Sequence, residues 1–506
     1  MGAEWTEGDA TLSEEPCHGR DGVQAVITPA EEPPGRRQSD RKSEDAGQCP
    51  TSKGSQGEGY GMDTQAEKKP VEVPDTSRTK QTGEVQRQWA WTEASVWTDR
   101  MLATLENGVK GNVWFSLIDK VWRLENLRAG YEKVKGNGGA AGVDRQTVKA
   151  FGEQADKELM RLSEEIRTGT YRMSAIKRTY IPKPGSDEKR PLGIPTVRDR
   201  VVETALRHVI EPIFERTFAD CSYGSRPGRS AHEALAEVER LLNAGYGYVV
   251  DIDLKRYFDT IPRNRLMARV RERIADGRVL QMLEEGMARE VDEEGQRTVT
   301  TAGTPQGSVI SPLLANVYLN SLDHSMQAKG YRIIRYMDDA VVLCQTLEEA
   351  EAALREISGW VKAEGLELNA QKTRLVNLNQ PGEGFDFLGY HIQRTQRGTI
   401  RRWPRDKSLK KMTDRIRELT PRNSGKSLIE IIGKTNRTTR GWYAYFRYSI
   451  PSTFARMDSW IRQRLRSILR RRRKRKGRAR GYDHQRWPND YFAKLGLFSM
   501  VAAHAR

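Results

Sequence analysis

Tyr336-Met337-Asp338-Asp339 lies between two apolar runs, RII and AVVLC, over residues 332–344. Apolar runs around an acidic pair read as a β-hairpin with its carboxylates at the tip. Asp251 and Asp253 close another apolar run, YVVDIDL, and their i, i+2 spacing puts them on one strand face. Acids converging from two strands can gather two divalent cations about 4 Å apart, as in-line phosphoryl transfer to a 3′-hydroxyl requires. Hard magnesium ions prefer such oxygen ligands and keep some water. A lone Asp-Asp in a turn is commonplace, so the weight rests on what surrounds it.

The positioning elements follow from pattern. From about Gly247 strands and helices alternate: the strand YVVDIDL, helical spacing over 263–291, and a helix over 307–324 after a Pro-Gln-Gly turn. The acidic hairpin, a helix over 347–364 and a strand FDFLGYHIQ (385–393) complete this stretch. Helices on one side of a small antiparallel sheet make an α+β arrangement. Upstream, residues 101–135 carry helix-compatible apolar spacing that the glycine-rich KGNGGAAGVD (135–144) interrupts. A polar-faced helix is predicted over 150–168, two short strands around a turn over 179–195, and a core helix from Val201 to Phe214. The last hundred residues read as basic helices.

Composition bounds the rest. Residues 1–80 carry ten Lys or Arg against sixteen Asp or Glu, so the net charge of +17 leaves about +23 beyond them. Between Trp5 and Tyr60 there is no aromatic residue. A segment this polar cannot offset its ordering entropy, so residues 1–85 are predicted to be disordered. Four scattered cysteines without a CxxC pair support neither a zinc site nor a disulfide framework. No run approaches eighteen apolar residues, and the N-terminus lacks a signal-peptide core. A soluble protein of the bacterial cytoplasm, nucleoid-associated or free, is expected, with no membrane partner.

Ile461–Arg480 holds twelve Lys or Arg and no acid. Two readings stand: a solvated basic tail, or a polyanion-binding surface. Flanking aromatics (Trp442, Tyr443, Tyr445, Phe446, Trp460, Tyr482, Trp487) favour the second, with cations neutralising phosphates while rings pack or stack. The candidate RNA-binding residues are Arg462, Arg464, Arg466, Arg470, Arg471, Arg472, Arg473, Lys474, Arg475 and Lys476.

Taken in order, DLKRYFDTI (253–261), GTPQGSVISPLLAN (303–316), YMDD (336–339), GLELNAQKT (365–373) and FDFLGY (385–390) resemble successive reverse-transcriptase motifs. IPKP, KRPLGIP and YGSRPGRSAHEAL (223–235) are similar to the fingers motifs of bacterial group II intron-encoded reverse transcriptases. TNRTTRGWYAYFR (435–447) resembles the same family's maturase, or thumb, region, and RWPNDYFAKLGLFS (486–499) its tails.

The resemblance implies a right-hand polymerase: N-terminal extension and fingers over 86–245, palm over 246–395, and a helical thumb/maturase region over 396–506. Asp253, Asp338 and Asp339 match the catalytic acids; Asp253 is preferred to Asp251 because the family's aromatic follows five residues later, at Phe258. Magnesium, two ions per site, would be held by Asp253, Asp338 and the backbone carbonyl of Leu254. Phe258 resembles the steric gate that excludes a 2′-hydroxyl, with ordinary core packing as the alternative. Lys183 and Arg190 match residues that clamp the triphosphate, Gln306 and Gly307 those bracing nucleotide and template, and Lys372 a proton donor to pyrophosphate. Tyr336 and Met337 would meet the primer end, where the family usually has alanine in place of Met337.

The implied partners are an RNA template (group II intron RNA above all), a DNA primer or target, and deoxynucleoside triphosphates, bound by a monomer or dimer. The implied function is RNA-directed DNA synthesis assisting intron splicing and retrohoming by target-primed reverse transcription. A domesticated polymerase of DNA repair or phage defence, which Met337 keeps open, and a polymerase-inactive splicing factor are the alternatives.

Overall fold

The computed structural model describes residues 88–182 and 189–505. The expected disorder of residues 1–85 and the side chain of Lys183 lie outside these.

The N-terminal part is helical: α1 (Asp99–Asn107), α2 (Leu124–Asn137) and α3 (Ala155–Thr168) precede α4 (Val197–Glu215). The single helical tract expected over 101–135 is interrupted, because Gly108, Gly111, Asn112 and Ser116 all adopt positive φ. Helix α4 is buried along nearly its whole length. Gly130 lets α2 cross it closely, since a Cβ there would stand 3.0 Å from the Val201 carbonyl.

Strands β1 (Ile176–Pro182) and β2 (Lys189–Ile194) form the expected hairpin. After α5 (Ala231–Asn243), strand β3 (Tyr248–Asp253), α6 (Arg263–Arg271) and α7 (Gly277–Ala288) comes a hairpin the periodicity did not reveal, β4 (Glu290–Glu293) and β5 (Gln296–Val299). Strand β4 runs parallel to β1, giving a four-stranded sheet of order β2-β1-β4-β5. Its sequence, EVDEEGQRTV, is too short and polar for a strand signal; the pairing with β1 supplies the order.

Helix α8 (Ser311–Ala328), starting later than the expected 307, leads to β6 (Arg332–Tyr336), β7 (Asp339–Cys344), α9 (Leu347–Ala363) and β8 (Arg374–Asn377). The central sheet has order β6-β7-β3-β8, all antiparallel. Both faces are covered. Val250, Ile252, Ile333 and Val342 join the large core with α8 and α9. Val249, Ile334, Val341 and Leu343 join a second core with α5 and the next sheet. Double burial explains why these strands read as continuous apolar runs.

The single strand expected at 385–393 is a hairpin, β9 (Gly384–Phe387) and β10 (Tyr390–Arg394), turning at Leu388-Gly389, both at positive φ. An unforeseen β11 (Ile400–Pro404) extends it to three strands. The C-terminal part is helical as expected, built on α10 (Asp406–Leu419), α11 (Leu428–Phe446) and α12 (Pro451–Arg472) around Ile416, Ile432, Phe454, Leu465 and Phe492. No helix among the described residues is long and apolar enough to cross a membrane.

Candidate active site

The acids meet at one end of the central sheet. Asp253 ends β3 and is the cross-strand partner of Asp339, which opens β7. Directly opposed residues in such a pair lie about 5 Å apart at Cα, with side chains on one face. Asp338 stands beside them in the two-residue turn of the β6–β7 hairpin. Burial and the Asp253 carboxylate raise the Asp338 pKa, against the opposing pull of Arg190 and Arg335. A buried carboxyl whose ionisation a neighbouring carboxylate disfavours suits a cation site.

The surrounding loops orient Asp253. Its carbonyl accepts from the Asn369 amide at 2.8 Å, and its amide donates to the Thr373 hydroxyl at 3.3 Å. Both partners come from the GLELNAQKT segment, which also carries Lys372, whose Nζ lies 3.7 Å from the Asp253 carboxylate. Leu254 and Leu368 form an antiparallel bridge whose hydrogen bonds run through Asp253, Lys255, Glu367 and Asn369. The Leu254 carbonyl therefore points away from that segment. Asp251 is only 2 % exposed and sits 3.5 Å from Arg374, so it is a buried structural acid.

Oxygen donors of this kind suit a hard divalent cation. Among the described residues, no group of three or more His, Cys, Asp or Glu stands in ligating arrangement. Asp253, Asp338 and the Leu254 carbonyl are the oxygen donors that could hold one, and burial, Tyr336 and Asp339 all push up the hydroxyl pKa of nearby Tyr445.

The residues expected to meet the nucleotide form a second group. The Phe258 carbonyl accepts from the Thr304 amide at 2.8 Å, and its half-buried ring packs edge-on against Tyr257. Gly303 makes this approach possible: a Cβ there would fall 2.6 Å from the Phe258 carbonyl. The Gly193 amide of β2 donates to the Gln306 carbonyl at 2.7 Å, and a Cβ on Gly307 would meet the Gly193 carbonyl at 2.1 Å. The hairpin bearing Arg190 is thus fastened to the turn bearing Gln306 and Gly307. Glu203, fully buried on α4, accepts from the Ser308 hydroxyl (2.9 Å) and the Val309 amide (2.7 Å) and pairs with Arg289. Nothing in its helical spacing distinguished Glu203 from a core-helix position.

Met337 adopts φ 60°, with no positive φ at Asp338. A two-residue hairpin turn with positive φ at its first position alone is one that normally takes glycine there. A non-glycine residue held so stores about 1–3 kcal/mol. The Met337 side chain is buried at 5 % exposure, and a Cβ on Gly224 would meet its amide nitrogen at 2.4 Å. Tyr336 is half-buried beside it, with its hydroxyl pKa raised by burial.

The basic segment divides in two. Arg466 is 4 % exposed, donates to the Trp487 carbonyl and the Asn489 side chain, and stacks on Phe492. It is structural, correcting its expected place among the RNA contacts: an occluded, fully engaged guanidinium is not offered to a phosphate. Arg464 bonds Thr420, Arg470 pairs with Asp483 at 2.6 Å, and Arg462 faces Asp458 at 3.9 Å. Arg471, Arg472, Arg473, Lys474, Arg475 and Lys476 are exposed. The flanking aromatics are mainly core: Trp442 packs on Phe446 and Phe454, Tyr443 on Phe454 and Phe498. Tyr445 donates to the Leu388 carbonyl, joining α11 to the turn of the β9–β10 hairpin, and Tyr482 stays 66 % exposed.

Residues 181–392 match the family described as reverse transcriptase (RNA-dependent DNA polymerase), and residues 409–487 match the group II intron maturase-specific domain. Protein YkfC of Escherichia coli (strain K12) is 32% identical over 304 residues, covering 52% of this chain and 78% of that protein. The group II intron-encoded protein LtrA of Lactococcus lactis subsp. cremoris is 32% identical over 256 residues, 49% of this chain and 42% of LtrA. A putative COX1/OXI3 intron 2 protein of Saccharomyces cerevisiae is 32% identical over 331 residues, 54% of this chain and 38% of its own. The chain thus spans under half the length of the latter two. With its right-hand polymerase-like fold and its maturase domain, the chain belongs to the group II intron-encoded reverse transcriptase and maturase family, the RNA-directed DNA polymerases of these introns.

Proposed function

We propose that this protein copies an RNA template into DNA at the Asp253–Asp338 pair, and that its thumb engages group II intron RNA to assist splicing and retrohoming by target-primed reverse transcription. The observation that carries the reading is the alignment of Asp253 with the acidic hairpin tip, close enough for its charge to act on Asp338. Magnesium, two ions when bound by Asp253, Asp338 and the Leu254 carbonyl, supplies activation of the primer hydroxyl and neutralisation of the triphosphate.

The chain's own residues do the rest. Arg190 and Lys183 hold the triphosphate, where cations offset charge developing in the transition state. Phe258 packs under the sugar and selects against a 2′-hydroxyl. Gln306 and Gly307 brace the base pair, and Lys372 delivers a proton to the leaving pyrophosphate. The exposed cations Arg471–Lys476 bind the RNA backbone through counterion release.

Primer extension on an RNA template tests the polymerase. Asp253→Ala and Asp338→Ala should abolish DNA synthesis while leaving RNA binding intact; full activity of either would remove the assignment. A splicing assay on a group II intron tests the maturase role separately. Splicing that survives Asp338→Ala in a protein whose unmutated form makes no DNA would favour the polymerase-inactive splicing factor.

A further inference from the structure

Arg335 precedes the acidic turn and is 1 % exposed, among the largest fully buried side chains of the protein. Every arm of its guanidinium is used. Nε and Nη2 donate to the fully buried carboxylate of Asp323 on α8, Nη1 to the Asn316 side-chain oxygen (2.9 Å) and to the Met337 carbonyl (2.9 Å), and Nη2 also to the Ser222 hydroxyl (2.8 Å). Asn316 in turn donates to the Gly224 carbonyl at 2.8 Å, and Gly224 is the residue against which Met337 packs. The Tyr223 amide donates to the Arg335 carbonyl, and the Arg335 amide to the Cys221 carbonyl. One guanidinium thus joins the back of α8, the 221–224 segment and the Met337 carbonyl.

We infer that Arg335, locked by Asp323, Asn316 and Ser222, is the positioning residue that holds a non-glycine residue in the left-handed slot of the catalytic turn. It thereby sets where Asp338 stands. The inference rests on the polymerase reading of that turn. A β-hairpin of L-residues relaxes away from positive φ at its first turn position unless something captures the peptide group that follows. The Nη1 bond to the Met337 carbonyl captures that group, and the four other contacts make the donor immobile. Lysine keeps the charge for Asp323 but lacks the planar fork that reaches several acceptors at once. The clamp and residue 337 are therefore coupled: the more readily residue 337 accepts positive φ, the less the turn depends on Arg335.

The test is single-nucleotide incorporation on an RNA–DNA primer–template, with primer–template affinity and thermal melting measured alongside. Arg335→Lys should lower kcat at least tenfold while the nucleotide KM and the primer–template Kd stay within twofold. Adding Met337→Gly, which relaxes the turn without the clamp, should shrink the effect of Arg335→Lys at least threefold when measured against the Met337→Gly protein itself. An Arg335→Lys protein that incorporates within twofold of the unmutated one, or a loss that is no smaller in the Met337→Gly protein, overturns the inference. If Arg335→Lys melts out, Asn316→Ala decides. It removes one Arg335 contact and leaves the Asp323 pair, so kcat should fall about threefold, and by less in the Met337→Gly protein; an unchanged rate or a loss just as large there overturns the inference. Absence of synthesis by the unmutated protein would instead sink the polymerase reading, and so is a separate result.

Discussion

The Gly193 amide and the Gln306 carbonyl are joined at 2.7 Å, and the same two segments touch again where Gly307 approaches the Gly193 carbonyl. The β1–β2 hairpin that carries Arg190 is by this contact continuous with the turn that carries Gln306 and Gly307, the residues proposed to brace the nucleotide. A charge and a shape-reading surface from different parts of the chain are held as one unit, which is what catalysis by positioning requires.

Gly307→Ala should break that unit. Its φ of 112° and the 2.1 Å approach leave no space for a methyl group, so one of the two segments must shift. Nucleotide KM is expected to rise about tenfold, the effect of roughly 1.4 kcal/mol of lost binding. Steady-state incorporation at varied nucleotide concentration reads it, and an unchanged KM would separate Arg190 from the turn.

Asp338→Asn should trade activity for stability. Incorporation is expected to fall by about three orders of magnitude, as for loss of a central catalytic group. In metal-free protein the sign is opposite. Burial and Asp253 hold the Asp338 pKa above its ordinary 3.8, so the folded state keeps its proton to higher pH than the unfolded chain does. The stabilisation this carboxyl contributes is complete below that value and is lost as pH rises through the raised one. With EDTA present, Asp338→Asn should melt about 1–3 °C higher at pH 7.5, the gap narrowing toward pH 4. Identical melting at pH 7.5 would remove the electrostatic conflict between the two acids.

His208 gives an acid-sensitive core. Burial first, then Lys133 and Arg207, lower its pKa to about 3, and its Nδ1 is bonded to Asn126 at 2.8 Å. A depressed histidine contributes stability present above pH 6.5 and lost as pH falls toward its folded value, by up to about 1.4 kcal/mol per pH unit. His208→Gln should be less stable at pH 7.5 yet show a flatter decline between pH 6.5 and 4.5 in urea titrations. Parallel declines would exclude His208 as the source.

The two classes of thumb cation should separate cleanly. Replacing Arg471–Lys476 by serine removes six exposed charges, so the slope of log affinity against log salt for RNA should flatten by about 3–5. Melting should change little. Arg466→Ala should leave the slope nearly intact and cost about 2 kcal/mol or more of stability, because the Trp487 carbonyl and Asn489 lose a buried partner. A salt slope that ignored the six exposed charges would end the proposed RNA contact.

Much of this was legible before any fold was known, for reasons particular to each element. The acidic hairpin announced itself because both faces of its sheet are buried, leaving two apolar runs around the five residues from Arg335 to Asp339 that break them. Hairpin β4–β5 did not, since its order comes from pairing with β1 and not from its own residues. FDFLGYHIQ looked like one strand because Leu388 gives no sign of accepting positive φ. The aromatics around the basic segment suggested stacking platforms, but rings at helical spacing serve a core equally well, and most of them do.

Sequence alone determined the chemical inventory: which acids, cations and glycines exist, their order, and the strands and helices that short-range periodicity specifies. Tertiary structure decided which of them meet. Asp253 faces Asp339 only through the β3–β7 register, and Arg335 reaches the Met337 carbonyl only because α8 and the 221–224 segment fix its guanidinium from behind. Local pattern carries no information about pairings between distant segments, because those are set by how buried faces fit together and not by any residue's neighbours along the chain.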